Sequence, residues 1–136
     1  MAKLQVGDMH ESEFSLLQNQ VNAFAELTGD HNPLHLDAEY AAKTVFKRPI
    51  IHGFLSASIF SKVLGTEFPG EGSVYLSQQM AFKRPMYVET LYKAVFTIEE
   101  VNEAKHTARI STRIFDATTN KLTVEGSAEV MNKEML

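Results

Sequence analysis

The sequence predicts a single α+β domain in which a curved antiparallel sheet wraps round a central helix. A length of 136 residues is enough for one well-packed domain, whereas two domains would each be too small to bury a good core. Apolar residues follow a helical spacing in the first half of the chain and alternate with polar residues in the second half. Between the halves, residues 53–64 form an apolar stretch with one charged residue, Lys62, and such a helix needs a sheet to cover it. We therefore assign residues 1–136 to one domain.

Composition and charge exclude several classes of protein. The hydrophobic share of 44% and the charged share of 22% are ordinary for a globular protein. The net charge of -4 argues against nucleic acid as a partner, because phosphate-binding surfaces are usually basic. The absence of cysteine excludes disulfides, thiolate metal sites and a cysteine nucleophile. No apolar run suits a secretory signal or a membrane span, so we expect no membrane association and a cytoplasmic location.

The first half is predicted to contain two short strands and two helices. The strands cover residues 4–6 and 13–17. The first helix begins at Asn19, whose side chain suits an N-cap, and ends at Gly29, a residue type favoured at helix C-termini. A shorter helix over residues 37–43 is capped by the aspartate that begins it. These elements leave a loop between the two helices.

Four segments of the second half show the period of two that is typical of antiparallel strands with one wet face. The segments are residues 73–82, 90–101, 106–116 and 121–130. In the first of them, the side chains predicted to share the buried face are Val74, Leu76, Met80 and Phe82. Residues 102–105 and 117–120 are the predicted hairpin turns. The four segments together predict an antiparallel meander.

Asp30 and His35 are the first candidates for chemistry, in the segment TGDHNPLH at residues 28–35. A carboxyl group and an imidazole that titrates near neutral pH can hold one water molecule between them and exchange protons with it. Pro33 disfavours helical backbone at the residue before it, so the segment turns with a defined shape. Taken alone, the same residues also fit an ordinary turn that carries no chemistry.

His52 and Gly53 stand at the start of the apolar helix and form a second candidate site. The first amides of a helix lack internal partners, and the helix dipole adds partial positive charge there. Gly53 would let a substrate oxygen approach the backbone closely, which suits an oxyanion hole for an enolate. The alternative is that Gly53 only permits tight packing, and spacing alone does not decide between the two.

The resemblance of this chain to a known family is specific. Residues 24–35, FAELTGDHNPLH, resemble the signature of the MaoC-like (R)-specific enoyl-CoA hydratases, also called hydratase 2, which have the hot-dog fold. FKRPIIHG at residues 46–53 and FKRP at residues 82–85 are similar to the second and third blocks of that family. Where members commonly have Gly-Asp after the third block, this chain has Glu89-Thr90, which leaves the local turn geometry open.

The resemblance implies roles for five residues. The catalytic aspartate and histidine of the family fall on Asp30 and His35, and the oxyanion amide falls on Gly53. Asn32 would shape the loop, and Ser61 in the central helix would support the site. The implied reaction is reversible syn hydration of a trans-2-enoyl-CoA, which gives the (3R)-3-hydroxyacyl-CoA. The division of the proton transfers between the two catalytic side chains stays open at this point.

Other residues receive less specific predictions. Arg48, Lys83 and Arg84 are candidates for contact with the phosphates of CoA, and Phe54 for contact with the acyl chain. His52 is expected to act as a hydrogen-bonding loop residue. No metal is expected, because Pro33 opposes the helical geometry that two histidines four residues apart need to share an ion. No cofactor is expected either.

Two alternatives to the hydratase stay open. One is a related enzyme, either a 3-hydroxyacyl-thioester dehydratase that acts on an acyl-carrier protein or a hydratase for a branched or dicarboxylic enoyl-CoA. The other is a hot-dog domain that only binds acyl-CoA, although such a domain would need neither Asp30 nor His35. By resemblance, the expected partners are an acyl-CoA substrate and a second copy of the chain in a homodimer or a larger homo-oligomer.

Overall fold

The computed structural model describes residues 2–136, and over that range the α+β prediction is confirmed by five strands and four helices. The helices are α1 (Gln18–Thr28), α2 (Pro33–Leu36), α3 (Ala38–Ala42) and α4 (Gly53–Thr66). The strands are β1 (Met9–Phe14), β2 (Val74–Phe82), β3 (Tyr92–Asn102), β4 (Thr107–Asp116) and β5 (Leu122–Met131). They form one antiparallel sheet in the order β1-β3-β4-β5-β2, so the predicted meander holds for β3–β5 but is wrong for β2, which pairs with β5 and not with β3.

Strands β3, β4 and β5 confirm the alternating pattern of the sequence. In β3, Tyr92, Ala94, Phe96 and Ile98 are each at most 2% exposed, while the residues between them are partly exposed. Their side chains join those of β4, β5 and α4 in one hydrophobic core. The period of two therefore identified the face of the sheet that packs against the central helix.

The first strand differs from the prediction. β1 covers Met9–Phe14 rather than residues 4–6 and 13–17. Its register against β3 runs from Met9 opposite Thr97 to Phe14 opposite Tyr92. Pairing with β3 decides where this edge strand lies, and the local sequence carries little information about that partner.

Strand β2 was predicted to bury four apolar residues, and this is wrong for three of them. Val74, Leu76 and Phe82 are 47%, 48% and 52% exposed. β2 lies at the edge of the sheet with β5 as its neighbour, and its register shifts between Tyr75 and Ser77. The shift interrupts the alternation, and the edge position leaves one side of the strand open.

Helix α4 packs in the concave side of the sheet through Phe60, Val63 and Leu64, which are at most 1% exposed. The sheet predicted to cover this apolar helix covers only part of it, because Phe54 is 71% exposed and Ser61 is exposed as well. The two exposed residues fall on a side of the helix that the sheet does not cover. Between residues 2 and 136, the chain has no helix that is both long and apolar enough to span a bilayer.

Helix ends set the geometry of the loop between α1 and α3. Gly29 is the C-cap of α1 with a φ of 80°, as predicted, and Asp37 caps α3 through bonds from the amides of Glu39 and Tyr40. Leu17 rather than Asn19 is the N-cap of α1. Pro33 does not oppose a helix but begins α2, because the first helical position needs no backbone N–H.

Candidate active site

Asp30 lies in the short loop between α1 and α2, which is held by side-chain hydrogen bonds. The left-handed conformation of Gly29 turns the chain out of α1. The Asp30 amide donates to Thr28 Oγ1 at 3.2 Å, and the Asn32 amide donates to Asp30 Oδ1 at 3.4 Å. Asn32 Oδ1 in turn accepts from the Leu34 amide at 3.1 Å and so caps α2. The loop therefore has a defined shape, and the position of Asn32 suits the role that the resemblance implies for it.

His35 lies on α2, where its ring orientation is fixed by one strong hydrogen bond. Nδ1 lies 2.8 Å from the carbonyl oxygen of Ile50. A carbonyl only accepts, so Nδ1 carries the hydrogen and Nε2 keeps a free lone pair. Burial lowers the pKa of His35 below its ordinary value, and the neighbouring His52 acts in the same direction, although the bond to Ile50 acts against them.

His52 joins the loop to the central helix. Its ring is 2% exposed, and Nε2 lies 3.0 Å from the backbone carbonyl oxygen of Asp30. The ring centroid lies 4.0 Å from that of His35 and 4.8 Å from that of Phe24. Nδ1 is buried and has no hydrogen-bond partner among the described residues. His52 is also the N-cap residue of α4, directly before Gly53.

Gly53 begins α4 at a point where another side chain comes close. The Ser56 amide is bonded to the His52 carbonyl, so the amides of residues 53–55 precede the first bond of the helix. A Cβ placed on Gly53 would lie 2.8 Å from Cε1 of Phe82. Glycine therefore fits both interpretations of the sequence, because it permits the close packing of Phe82 and supplies an amide without an intrahelical partner at a positive helix end.

One cavity of about 500 Å³ brings these groups together. Of the residues predicted for the site, seven line this cavity: Asp30, His35, His52, Gly53, Phe54, Lys83 and Arg84. Its other lining residues are Phe46, Ile50, Ile51, Ser56, Phe82, Pro85, Met86 and Val124. The inner wall is buried and mostly apolar, whereas Lys83 and Arg84 are exposed at the rim. The cavity therefore has an apolar end and a basic mouth.

Three predicted site residues do not line the cavity: Asn32, which caps α2, Ser61 and Arg48. Ser61 is exposed on α4, eight positions after Gly53, which corresponds to about 12 Å along a helix axis. The Arg48 guanidinium lies over the ring of Tyr87, 3.9 Å from its centroid. The family resemblance suggested Ser61 and the positive charge suggested Arg48, but neither side chain lines the cavity.

Sequence reasoning missed several lining residues. Phe46 and Phe82 begin the two copies of Phe-Lys-Arg-Pro, and both copies meet at the cavity, so the repeat was a usable signal. Ser56 was not among the predicted site residues, but it lines the cavity, is 2% exposed, and its Oγ lacks a partner over residues 2–136. The position of Met86 at the cavity could not be predicted from the sequence, because only the tertiary fold brings this residue there.

The spacing of three side chains would suit a metal ion, because Asp30, His35 and His52 offer ligand atoms within 4.8 Å of one another. One nitrogen of each histidine faces a backbone carbonyl and therefore carries a hydrogen. His31 lies apart, because its Nε2 is 2.9 Å from Glu26 Oε1, which raises the pKa of His31. The expectation that the site holds no metal stays a prediction.

Comparisons with known proteins agree with this geometry. A family model described as a MaoC-like domain matches residues 5–121. An (R)-specific enoyl-CoA hydratase of Aeromonas caviae is 49% identical over 96 residues, which are 71% of this chain and 72% of that protein. A mitochondrial 3-hydroxyacyl-[acyl-carrier-protein] dehydratase of Arabidopsis thaliana is 32% identical over 139 residues, which cover 98% of this chain and 81% of that protein.

A solved structure shows the same fold. It is that of the (R)-hydratase of A. caviae involved in PHA biosynthesis, with a TM-score of 0.91 and 43% identity over 95% of this chain and 97% of that one. The hot-dog fold expected from the sequence is therefore confirmed. Because the family model spans most of the residues that build both the sheet and the cavity, the chain belongs to the MaoC-like domain family.

Proposed function

We propose that the chain is an (R)-specific enoyl-CoA hydratase, which adds water reversibly and syn to a trans-2-enoyl-CoA and gives the (3R)-3-hydroxyacyl-CoA. The observation that carries the proposal is the meeting of Asp30, His35 and the start of α4 at one cavity. The activity named for the A. caviae relative supports the substrate class and the stereochemistry. The enzyme is then a hydro-lyase that needs no cofactor.

His35 accepts the proton of the attacking water in this proposal. Its Nε2 has a free lone pair because Nδ1 donates to Ile50, and the lowered pKa keeps the ring unprotonated near neutral pH. A carboxylate oxygen of Asp30 lies within 4.8 Å of a ring nitrogen of His35. One water molecule fits such a gap with a hydrogen bond to each group, which orients its oxygen for attack.

The start of α4 stabilises the charge that this attack creates. The new C–O bond forms at C3, the π electrons move onto the thioester oxygen, and the Gly53 amide donates to the resulting enolate. The enolate then collapses and C2 takes the proton held by His35. Because one pair of side chains supplies both the hydroxyl group and the proton, both new bonds form on one face of the alkene, which is a syn addition.

The rim of the cavity provides charges for the carrier. Lys83 and Arg84 are exposed there, and Nη1 of Arg84 donates to the Leu122 carbonyl at 2.7 Å, which holds the guanidinium in place. Both cations suit the phosphates of CoA, and Phe54 covers the adjacent edge of the cavity. Arg48 stays a weaker candidate, because its guanidinium is stacked on Tyr87.

Loss of absorbance at the enoyl-thioester band with crotonyl-CoA tests the proposal directly. We expect hydration and a product that chiral analysis identifies as the (3R)-3-hydroxybutyryl thioester. Absence of hydration with every enoyl-CoA from C4 to C8 would overturn the proposal. Formation of the (3S) product would support hydration as the reaction but contradict the proposed stereochemistry.

A dehydratase of acyl-carrier-protein thioesters is the second candidate, because the relative from Arabidopsis is named for that substrate. The basic rim suits an acidic carrier protein as well as the phosphates of CoA. We favour CoA because the more similar relative acts on it. Values of kcat/KM for the same acyl group on the two carriers decide between them.

A domain that binds acyl-CoA without reacting is the third candidate. Such a domain would have no use for a partly buried imidazole with one nitrogen free beside a carboxylate. Binding of crotonyl-CoA with no turnover in either direction would favour this function over the hydratase.

The chain is further proposed to form a homodimer through the open edge of β2. Val74, Tyr75 and Leu76 are exposed on this edge strand, and Phe54 is exposed on the uncovered side of α4. An unpaired strand edge with apolar side chains favours pairing with a second copy. Sedimentation of the wild type and of Leu76→Lys tests this proposal. We expect the wild type to be a dimer and the variant to dimerise more weakly, whereas a monomeric wild type contradicts the proposal.

The cytoplasmic location stays a prediction.

A further inference from the structure

His52 is buried at the centre of the site, yet the proposed reaction gives it no proton to carry. Its side chain makes no capping bond to α4, although it occupies the N-cap position. Ser, Thr, Asp or Asn would cap the helix better. A buried imidazole with an unpartnered Nδ1 is costly, so its presence calls for another explanation.

The contacts of His52 reach both side chains of the acid/base pair. Nε2 is 3.0 Å from the carbonyl oxygen of Asp30 and must carry the hydrogen, because that oxygen only accepts. The ring of His52 packs on the ring of His35 with an interplanar angle of 31°, and it also contacts the ring of Phe24. These contacts restrain the backbone at Asp30 and the rotation of the His35 ring.

The third connection is covalent. The peptide bond between His52 and Gly53 contains the amide that the proposed mechanism uses for the enolate. The carbonyl of this peptide accepts from the Ser56 amide at 3.0 Å, so the His52 backbone is fixed to α4 while its ring is bonded to Asp30. His52 thus links the proton-transfer pair to the oxyanion donor.

We propose that His52 is a positioning residue that holds Asp30, His35 and the Gly53 amide in one arrangement without exchanging a proton with the substrate. The inference rests on the proposed hydratase function. A displacement of about 1 Å between such groups lowers turnover by around a hundredfold. We expect a loss on this scale when the contacts of His52 with Asp30 and His35 are removed.

The test compares variants that differ in one property. His52→Gln keeps an N–H donor at the distance of Nε2, His52→Met has a similar length without the donor, and His52→Phe keeps a ring without the donor. His10→Gln is the control, because His10 is a partly exposed histidine paired with Glu67 away from the cavity. Thermal unfolding of each variant shows whether it is folded.

We expect His52→Met and His52→Phe to lose about a hundredfold in kcat with KM changed less than about threefold. His52→Gln should recover at least about tenfold of that loss, and its pH profile should keep the acid limb of the wild type. Turnover of His52→Met within threefold of wild type overturns the proposal, as does a glutamine variant no better than methionine. Disappearance of the acid limb in His52→Gln would instead make His52 a proton-transferring group.

A measurement without turnover separates this inference from the hydratase proposal. Nitrogen-15 NMR of the histidine rings should show a protonated Nε2 on His52 and a protonated Nδ1 on His35. In His52→Met the signals of His35 should shift or broaden, while those of His106 stay unchanged. An unchanged His35 spectrum in His52→Met overturns the positioning role even if the enzyme is active. A wild type with the expected spectrum but no hydration contradicts the hydratase alone.

Discussion

The two halves of the site use different parts of the chain. The acid/base half acts through the side chains of Asp30 and His35, on a loop and a four-residue helix. The oxyanion half acts through the backbone amide of Gly53, at the start of a helix of 14 residues. The first half depends on a few side-chain hydrogen bonds, whereas the second is anchored by the core that α4 shares with the sheet.

This difference determines what mutation can remove. A side-chain group disappears with a single substitution that barely changes the shape of the site. A backbone donor remains after every substitution except that by proline, and the other substitutions can only displace it. The side-chain half should therefore give larger losses than the backbone half, and the rim smaller losses than either.

The largest effects are expected for Asp30→Asn and His35→Gln. Each removes a group that contacts the reacting water, and turnover should fall by about 10²–10⁴. Both variants should keep the melting temperature of the wild type within a few degrees, because Asp30 is exposed and His35 is only partly buried. Near-normal turnover of a folded Asp30→Asn protein would refute its assignment.

A smaller loss is expected for Gly53→Ala, about 10- to 100-fold in kcat. The new Cβ would lie 2.8 Å from Cε1 of Phe82, so the ring or the start of α4 must shift. Phe82→Leu in the same chain removes the contact and should restore at least part of the activity. A double variant as poor as Gly53→Ala would show that the close approach of Phe82 is not the cause.

The pH dependence should reflect His35, since only its unprotonated form accepts the proton of water. The pKa of His35 lies below the ordinary 6.5. We therefore expect kcat/KM to be constant at pH values above this pKa and to fall at pH values below it. The slope should approach about tenfold for each pH unit. The matched control is His35→Gln, whose residual activity should lack this limb, and a limb centred above pH 6.5 would contradict the burial argument.

The smallest effect is expected at the rim. Lys83→Gln should raise KM for an enoyl-CoA by about threefold at low salt with kcat unchanged, because an exposed charge contributes modestly to phosphate binding. The difference should shrink as salt is added. Lys3→Gln, an exposed lysine at the N-terminal end that does not line the cavity, serves as the control. A fall in kcat for Lys83→Gln would place this residue nearer the chemistry than the rim.

Periodicity and helix ends made much of the fold predictable. The bounds of β3, β4 and β5 follow the alternating segments closely, and Gly29 and Asp37 ended and began helices as expected. The exposure of β2 was not predictable in this way, because alternation does not reveal which strand lies at an edge. Neighbours in the sheet, and not the local sequence, decide that exposure.

The candidate site was predictable where residues are adjacent in the chain. Asp30 and His35 share one segment, and their combination with Gly53 came from the family signature. The contact of His52 with both groups joins the start of α4 to a loop 22 positions earlier, and no spacing rule reports such a contact. Ser61 differs, because its supporting role is implied by resemblance alone; it does not line the cavity of this chain, and the role stays a prediction.

The place of β2 in the sheet has a consequence for how the protein is made. Lys83 and Arg84 both donate their amides to the Thr123 carbonyl, and Val124 lines the cavity, so the wall beside Gly53 requires β5. During synthesis, the acid/base loop and α4 leave the ribosome well before β5 is available to pair with β2. A nascent chain that stops before β5 therefore carries every proton-transferring group but has no closed cavity, and it exposes an unpaired strand that other chains can bind.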